Sequence, residues 1–155
     1  MSRSIVAMEA WQIRERCFRE DVVFRVGTLD LSQVGVPVLD LAMSLEFAVK
    51  MLAMEGAATV GSPGSGWSIV LTRSGDAVTV SGSRDGERSA CSFVDLAQAS
   101  GLFMRSVMDD LTEICPDLLL NDEIERLFRE SGAIYLGPDR FLRQDHVVRT
   151  KHGRL

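Results

Sequence analysis

Histidine, cysteine and proline are scarce in this sequence: two, three and four among 155 residues. Both histidines, His146 and His152, fall in the last ten residues and lack the i,i+4 spacing of a helical metal pair. They read as solvated side chains with an ordinary pKa near about 6.5. Cys17, Cys91 and Cys115 are far apart, with no Cys-x-x-Cys pair, so neither a zinc site nor a dithiol couple is indicated. Each lies among apolar neighbours, as a small buried hydrophobe does, and their odd number fits a reducing, cytoplasmic compartment.

Other absences narrow the field further. No Gly-x-Ser-x-Gly turn supports a serine hydrolase. Gly61-Ser62-Pro63-Gly64-Ser65-Gly66 is glycine-rich, but Trp67 follows it instead of Lys-Ser/Thr and a helix start, so it reads as a linker and not as a phosphate loop. The longest apolar stretch, Leu41 to Met54, is interrupted by Ser44, Glu46 and Lys50 and is too short to span a bilayer. Met1 to Ala10 carries Glu9 and no continuous apolar core, so no signal peptide is expected. Positive charge is also lacking. With 17 basic against 22 acidic residues and a net charge of −5, neither nucleic acid nor an anionic membrane is an expected partner. No cofactor and no metal are expected.

What remains is an ordinary globular composition, 46% hydrophobic and 25% charged. A chain of this length forms one domain and buries roughly 70% of its extended surface without a staple. Trp11 and Ile13, then Val22, Phe24 and Val26, alternate with polar residues or glycine, which predicts two strands with a turn in the charged stretch Arg14 to Asp21. Leu29 and Leu31 extend the second strand until Gly35 and Pro37 break it. Asp40 reads as the N-cap of a buried helix over Leu41 to Glu55, stopped by Gly56. Its apolar residues form two stripes, one through Leu41, Leu45, Val49 and Leu52, the other through Met43, Phe47, Met51 and Met54.

Residues 56–66 read as a connection, followed by strands over Trp67 to Thr72, Ala77 to Ser81 and Arg88 to Val94, a three-strand meander with Gly/Asp hairpin links. Asp95 reads as the cap of a second helix, with Leu96, Ala99, Phe103, Val107, Leu111 and Ile114 at helical spacing. Asn121 starts a third, short helix carrying Ile124, Leu127 and Phe128. The expected fold is therefore α+β: an antiparallel sheet, made of a hairpin plus a three-strand meander, packed against a buried helix and two C-terminal helices. Residues 1–137 form the domain, and 138–155 form a basic, partly flexible tail with five basic and two acidic residues.

The one concentration of chemistry is acidic. Between Asp109 and Glu130 eight carboxylates, including Asp109, Asp110, Glu113, Asp117, Asp122, Glu123 and Glu125, stand against Arg126 and Arg129 alone. Asp109, Asp110 and Glu113 share one helical turn, where a hard cation would need further ligands from another element. A solvated face is the plain reading of such a run. The sharper one is a docking face for a basic protein, with the Leu118-Leu119-Leu120 run, or Phe128, adding desolvated anchors. Trp11 and Trp67 suit either a core or an interface.

Taken together, the segments DVVFRVGTLDL, GVPVLDLAMSL, WSIVL, AVTVS, SACSFVDL and AQASGLFMRSVMDDL resemble small bacterial α+β immunity proteins over residues 11–130. That resemblance implies a non-enzymatic protein that binds and neutralises a cognate toxin, such as a basic nuclease. It assigns no individual residue. Two other readings compete with it. One is a small-molecule-binding or enzymatic domain with a pocket between the sheet and the helix bearing Met43, Met51 and Met54. The other is a structural homodimer.

Overall fold

The computed structural model describes residues 4–61, 67–82, 86–131, 134–137 and 140–142. A 3₁₀ turn over Ile5–Ala7 leads into α1 (Ala10–Arg16), and then β1 (Arg19–Val22), β2 (Arg25–Val26), β3 (Leu29–Asp30) and β4 (Gln33–Pro37) precede α2 (Val38–Glu55). The antiparallel sheet is built from β5 (Ala57–Gly61), β6 (Ser68–Ser74), β7 (Ala77–Ser81) and β8 (Arg88–Ser92) in sequential order. The chain continues through α3 (Phe93–Ile114), a 3₁₀ turn over Pro116–Leu120, α4 (Asp122–Glu130), β9 (Ile134–Gly137) and β10 (Arg140–Leu142). The fold is α+β.

The helix α2 lies between two apolar clusters. Leu41, Leu45, Val49 and Leu52 face the sheet, meeting Val60, Ile69, Leu71, Val78 and Val80. Those sheet residues alternate along their strands with exposed or half-buried ones, as one covered face requires. Val38, Leu39 and Ala42 face the other way, onto Met104, Met108 and Leu111 of α3, Ile13 of α1 and Ile124 of α4. Gly56 ends α2 in the left-handed conformation at φ +78°, its N–H bonded to Leu52 O at 3.2 Å.

Several expectations need correction. Trp11 and Ile13 lie on a helix and not on a strand: three alternating residues are too short a pattern, and Glu9 N–H donates to Gln12 Oε1 at 3.2 Å in a helix-start contact. No turn over residues 14–21 closes a hairpin. The strand β1 pairs instead with β4, with Arg19 opposite Pro37, while β2 and β3 form their own two-residue ladder. Gly35 and Pro37 do not break a strand but sit within β4, Pro37 at its end, where a missing N–H costs least. Residues 57–61 are not a linker but the edge strand β5, paired along its length with β6, which makes the meander four-stranded; residues 62–66 lie outside the described residues.

The helix boundaries shift as well. Asp40 is inside the first turn of α2, since Pro37 presets the entry and the helix begins at Val38. Asp40 is buried, 6% exposed, and its carboxylate accepts from Arg14 Nη2 at 2.9 Å, tying α1 to α2. Ser92, not Asp95, caps α3: its Oγ accepts from Asp95 N at 3.0 Å, so β8 ends before Phe93. The second stripe of α2 is not buried, because Phe47 and Met54 face outward. Within the expected basic tail, Arg140–Leu142 pair with β9, and residues 143–155, with both histidines, lie outside the described residues.

Candidate functional site

One end of the molecule gathers the acidic run, the leucine run and the N-terminal segment. Asn121 organises it. Its side chain is 3% exposed; Oδ1 accepts from Ile124 N at 3.1 Å and caps α4. Nδ2 donates to the carbonyls of Ile5, Val6 and Met8 at 2.9, 3.2 and 2.7 Å. One amide thus ties the first 3₁₀ turn to the second and to α4. A second tie runs from Ala10 N, which donates to Glu123 Oε2 at 2.8 Å across 113 positions of sequence.

The 3₁₀ geometry then sorts the leucines. Three residues per turn carry only one of three successive side chains inward. Leu118 is fully buried, whereas Leu119 and Leu120 are 45% and 63% exposed. Backbone bonds from Leu118 N to Cys115 O (3.0 Å) and from Asn121 N to Leu118 O (3.2 Å) fix the turn. Val6 and Ile114 are exposed on the adjoining elements. Trp11, 44% exposed, is held in place because its Nε1 donates to Glu9 and Arg16 stacks on its ring at 4.8 Å. Trp67, by contrast, is a core residue.

The carboxylates expected to form one acidic face have different employments. Asp117, Asp122 and Glu123 are exposed beside the leucines, with Glu123 also holding α1. Glu125 pairs with Arg129 one turn on, at 3.1 Å. Asp122, Glu123 and Glu125 fall in the first turn of α4, where acidic residues complement the helix dipole. Asp109 and Asp110 are half-buried on α3, and they and Glu113 each already engage a partner. Among the described residues no group of three metal-ligating side chains converges, and no helix is long and apolar enough to cross a membrane. Phe128 is buried and serves the core.

Burial pushes the Cys91 and Cys17 thiols up, helped by Asp95 for the first and Cys115 for the second. Asp30, on the far hairpin, has its carboxyl held low by hydrogen bonds from Ser32, with Arg25 a smaller influence. A hollow of about 420 Å³ does lie where α2 meets β5, lined by Met43, Phe47, Lys50, Thr59 and Gly61 among others. Its charged groups are already paired, Arg14 with Asp40 at 2.9 Å and Lys50 with Glu46 at 3.4 Å.

Sequence reasoning started the third helix at Asn121 but missed its role as a tether. The bonds it makes run to backbone carbonyls more than 110 positions away, which carry no residue-type signal. Comparisons with protein-family models, curated proteins and solved structures found no match to this chain.

Proposed function

We propose that this protein is a non-enzymatic binding module of the immunity type, which neutralises a basic protein partner through the end built by the two 3₁₀ turns, α1 and α4. The observation that carries the reading is the exposure of Leu119 and Leu120 on a backbone that hydrogen bonds hold fixed, beside Asp117 and Asp122. Large apolar side chains on a rigid support lose little entropy on binding. Trp11, pinned on α1 next to the tie from Ala10 to Glu123, has the character of an interface hot spot. Carboxylates at the rim speed encounter with a cationic surface and repel acidic competitors. The docking surface is narrower than the whole acidic run: Asp109, Asp110, Glu113 and Glu125 are already employed within the chain.

The test is capture of the partner from the source organism by the tagged full chain, compared with two variants. Leu119→Ser/Leu120→Ser removes the anchors, and Asp117→Lys/Asp122→Lys reverses the rim; all four positions are exposed, so the leucine variant retains the wild-type melting temperature and the aspartate variant loses only the helix-dipole contribution of Asp122, about 0.5 kcal/mol. The wild type is expected to hold one basic protein in equimolar amount, and each variant to bind it at least about tenfold more weakly. Equal retention by both variants, or no equimolar partner, contradicts the proposal. Light scattering distinguishes the homodimer reading: the present one expects 17.1 kDa at all concentrations.

A further inference from the structure

The strand β5 is one margin of the four-stranded sheet, and among the described residues no strand pairs with its outer side. The register determines which backbone groups that leaves over. Arg73 N donates to Gly56 O at 2.8 Å, and the pairing runs on with Ala57 opposite Thr72 and Thr59 opposite Val70. Bonded and non-bonded pairs alternate along an antiparallel ladder. Ala58 and Val60 therefore bond β6, while the N–H and C=O groups of Ala57, Thr59 and Gly61 point away from the sheet. Thr59 and Gly61 are also the β5 residues that line the hollow of about 420 Å³.

The other wall of that hollow is α2. Met43, Glu46, Phe47 and Lys50, at i, i+3, i+4 and i+7, form a helix face that overhangs the strand edge. Phe47 is 65% exposed there. An open strand edge beside an apolar helix face is a groove for an added strand. An extended polypeptide offers donors and acceptors at the two-residue spacing that the edge requires. A second copy of this chain does not fit. Pairing β5 with its own two-fold image sets the strands about 4.8 Å apart, whereas packed helices stand about 8–10 Å apart, so two overhanging faces would compete for one space.

The groove also selects side chains. Val60 is buried beneath α2, so added residues opposite Ala58 and Val60 point to the helix and the one between them points away. The chain reverses at Gly56, so α2 and β5 run antiparallel. At about 1.5 Å per helical residue and about 3.4 Å per strand residue, Phe47 stands level with Val60, and Lys50 level with Ala58 and Thr59. The charge presented at that level is positive. The Lys50 side chain is 44% exposed and stands in front of Glu46, which is 10% exposed. Its ammonium has two N–H donors besides the one directed at Glu46.

We infer that this groove binds an extended segment of another protein as an added antiparallel strand on β5, with an aliphatic side chain against Phe47 and, two residues later, an acidic one at Lys50. The groove shares no residue with the Leu119–Leu120 surface and does not rest on that reading.

The probe is the fluorescein-labelled peptide TTLTETT, titrated with the full chain and read by fluorescence anisotropy. Its central threonine is placed to pair with Thr59, its leucine to meet Phe47 and its glutamate to meet Lys50. One saturable site is expected, with a Kd below about 1 mM. N-methylation of the central threonine removes the amide aimed at Thr59 and should weaken binding at least about tenfold. N-methylation of the leucine, whose amide faces away from β5, should leave it unchanged. Phe47→Ala, or the peptide TTLTKTT in place of the first, should weaken binding about three- to tenfold. Thr59→Pro removes an outward N–H at an edge, where proline is tolerated, and should abolish binding with unchanged circular dichroism. Absence of saturable binding overturns the inference. So does equal affinity for the two N-methylated peptides, or binding that survives Thr59→Pro. A concentration-dependent dimer that Thr59→Pro abolishes also overturns it, by assigning the edge to a second copy. None of these outcomes bears on capture of the basic partner, which is measured with the Leu119/Leu120 and Asp117/Asp122 variants.

Discussion

Single side chains carry unusual weight in this protein where they join distant parts of the chain. Asn121 has two N–H groups and three carbonyl acceptors, so at least one bond is shared, and its Oδ1 caps a helix as well. Replacing it with alanine leaves the buried Ile124 N–H and three partly buried carbonyls without this partner at once. Asn121→Ala is expected to cost about 2–3 kcal/mol in urea unfolding, and to increase proteolysis within residues 4–9 first. The substitution Asn121→Asp keeps the cap but sets a carboxylate oxygen against the carbonyls of Ile5, Val6 and Met8, so it should cost at least as much as Asn121→Ala.

The thiols give a second prediction at this scale. Cys17 and Cys91 both have their ionisation raised from an ordinary value of 9.0. A group whose folded pKa is raised stabilises the fold fully below its unfolded pKa and ceases to do so as pH climbs through the folded one. Stability should therefore be insensitive to these groups up to about pH 8 and decline above about pH 9. Guanidinium unfolding at pH 8 and pH 10 measures this. A Cys17→Ala/Cys91→Ala variant should show a shallower alkaline decline, and an identical decline would contradict the assignment.

At the scale of elements, the strong periodicities were legible and the weak ones were not. The strands over 68–81 and the helix from Leu96 to Ile114 follow from long, regular patterns backed by turn residues. Over residues 9–40 the pattern was legible only in fragments, because short elements pair across intervening chain. The strand β1 meets β4, and the Asp40 carboxylate meets Arg14, through contacts set by the packing of α1 on α2. The strand β5 reads as linker because Ala57, Ala58 and Gly61 carry little strand signal and outnumber Thr59 and Val60; pairing with β6 overrides that preference. In the candidate site the leucine run and its acidic neighbours could be read from sequence, but not which leucine turns inward, since that depends on the 3₁₀ turn.

The boundary of α3 offers a test at this scale. Ser92 and Asp95 stand at the N-cap and third helical positions, with the Ser92 Oγ accepting from Asp95 N. Directly after Ser92, Phe93 is fully buried, with the Arg73 guanidinium 3.8 Å from its ring centroid. Ser92→Ala should cost about 1 kcal/mol and Phe93→Ala about 3–5 kcal/mol, both read by urea unfolding. If the order of these two costs were reversed, the boundary would lie elsewhere.

For the whole molecule, α2 is the common wall of two apolar clusters, and each cluster supports a different surface. The cluster under the 3₁₀ turns and α4 holds the leucines outward. The cluster between the sheet and α2 extends to the first half of α3 and lies under a cavity beside residues 22–27. The proposed partner-binding surface belongs to the first of these, at the end that carries Leu119 and Leu120. The most direct measurement is hydrogen–deuterium exchange on the wild-type protein, free and with its captured partner at moderate salt. Slowed exchange confined to residues 4–12 and 114–126 is the predicted result. Protection confined to residues 22–27 and 93–104, with the two 3₁₀ turns unchanged, would contradict the placement of the partner at the Leu119–Leu120 end.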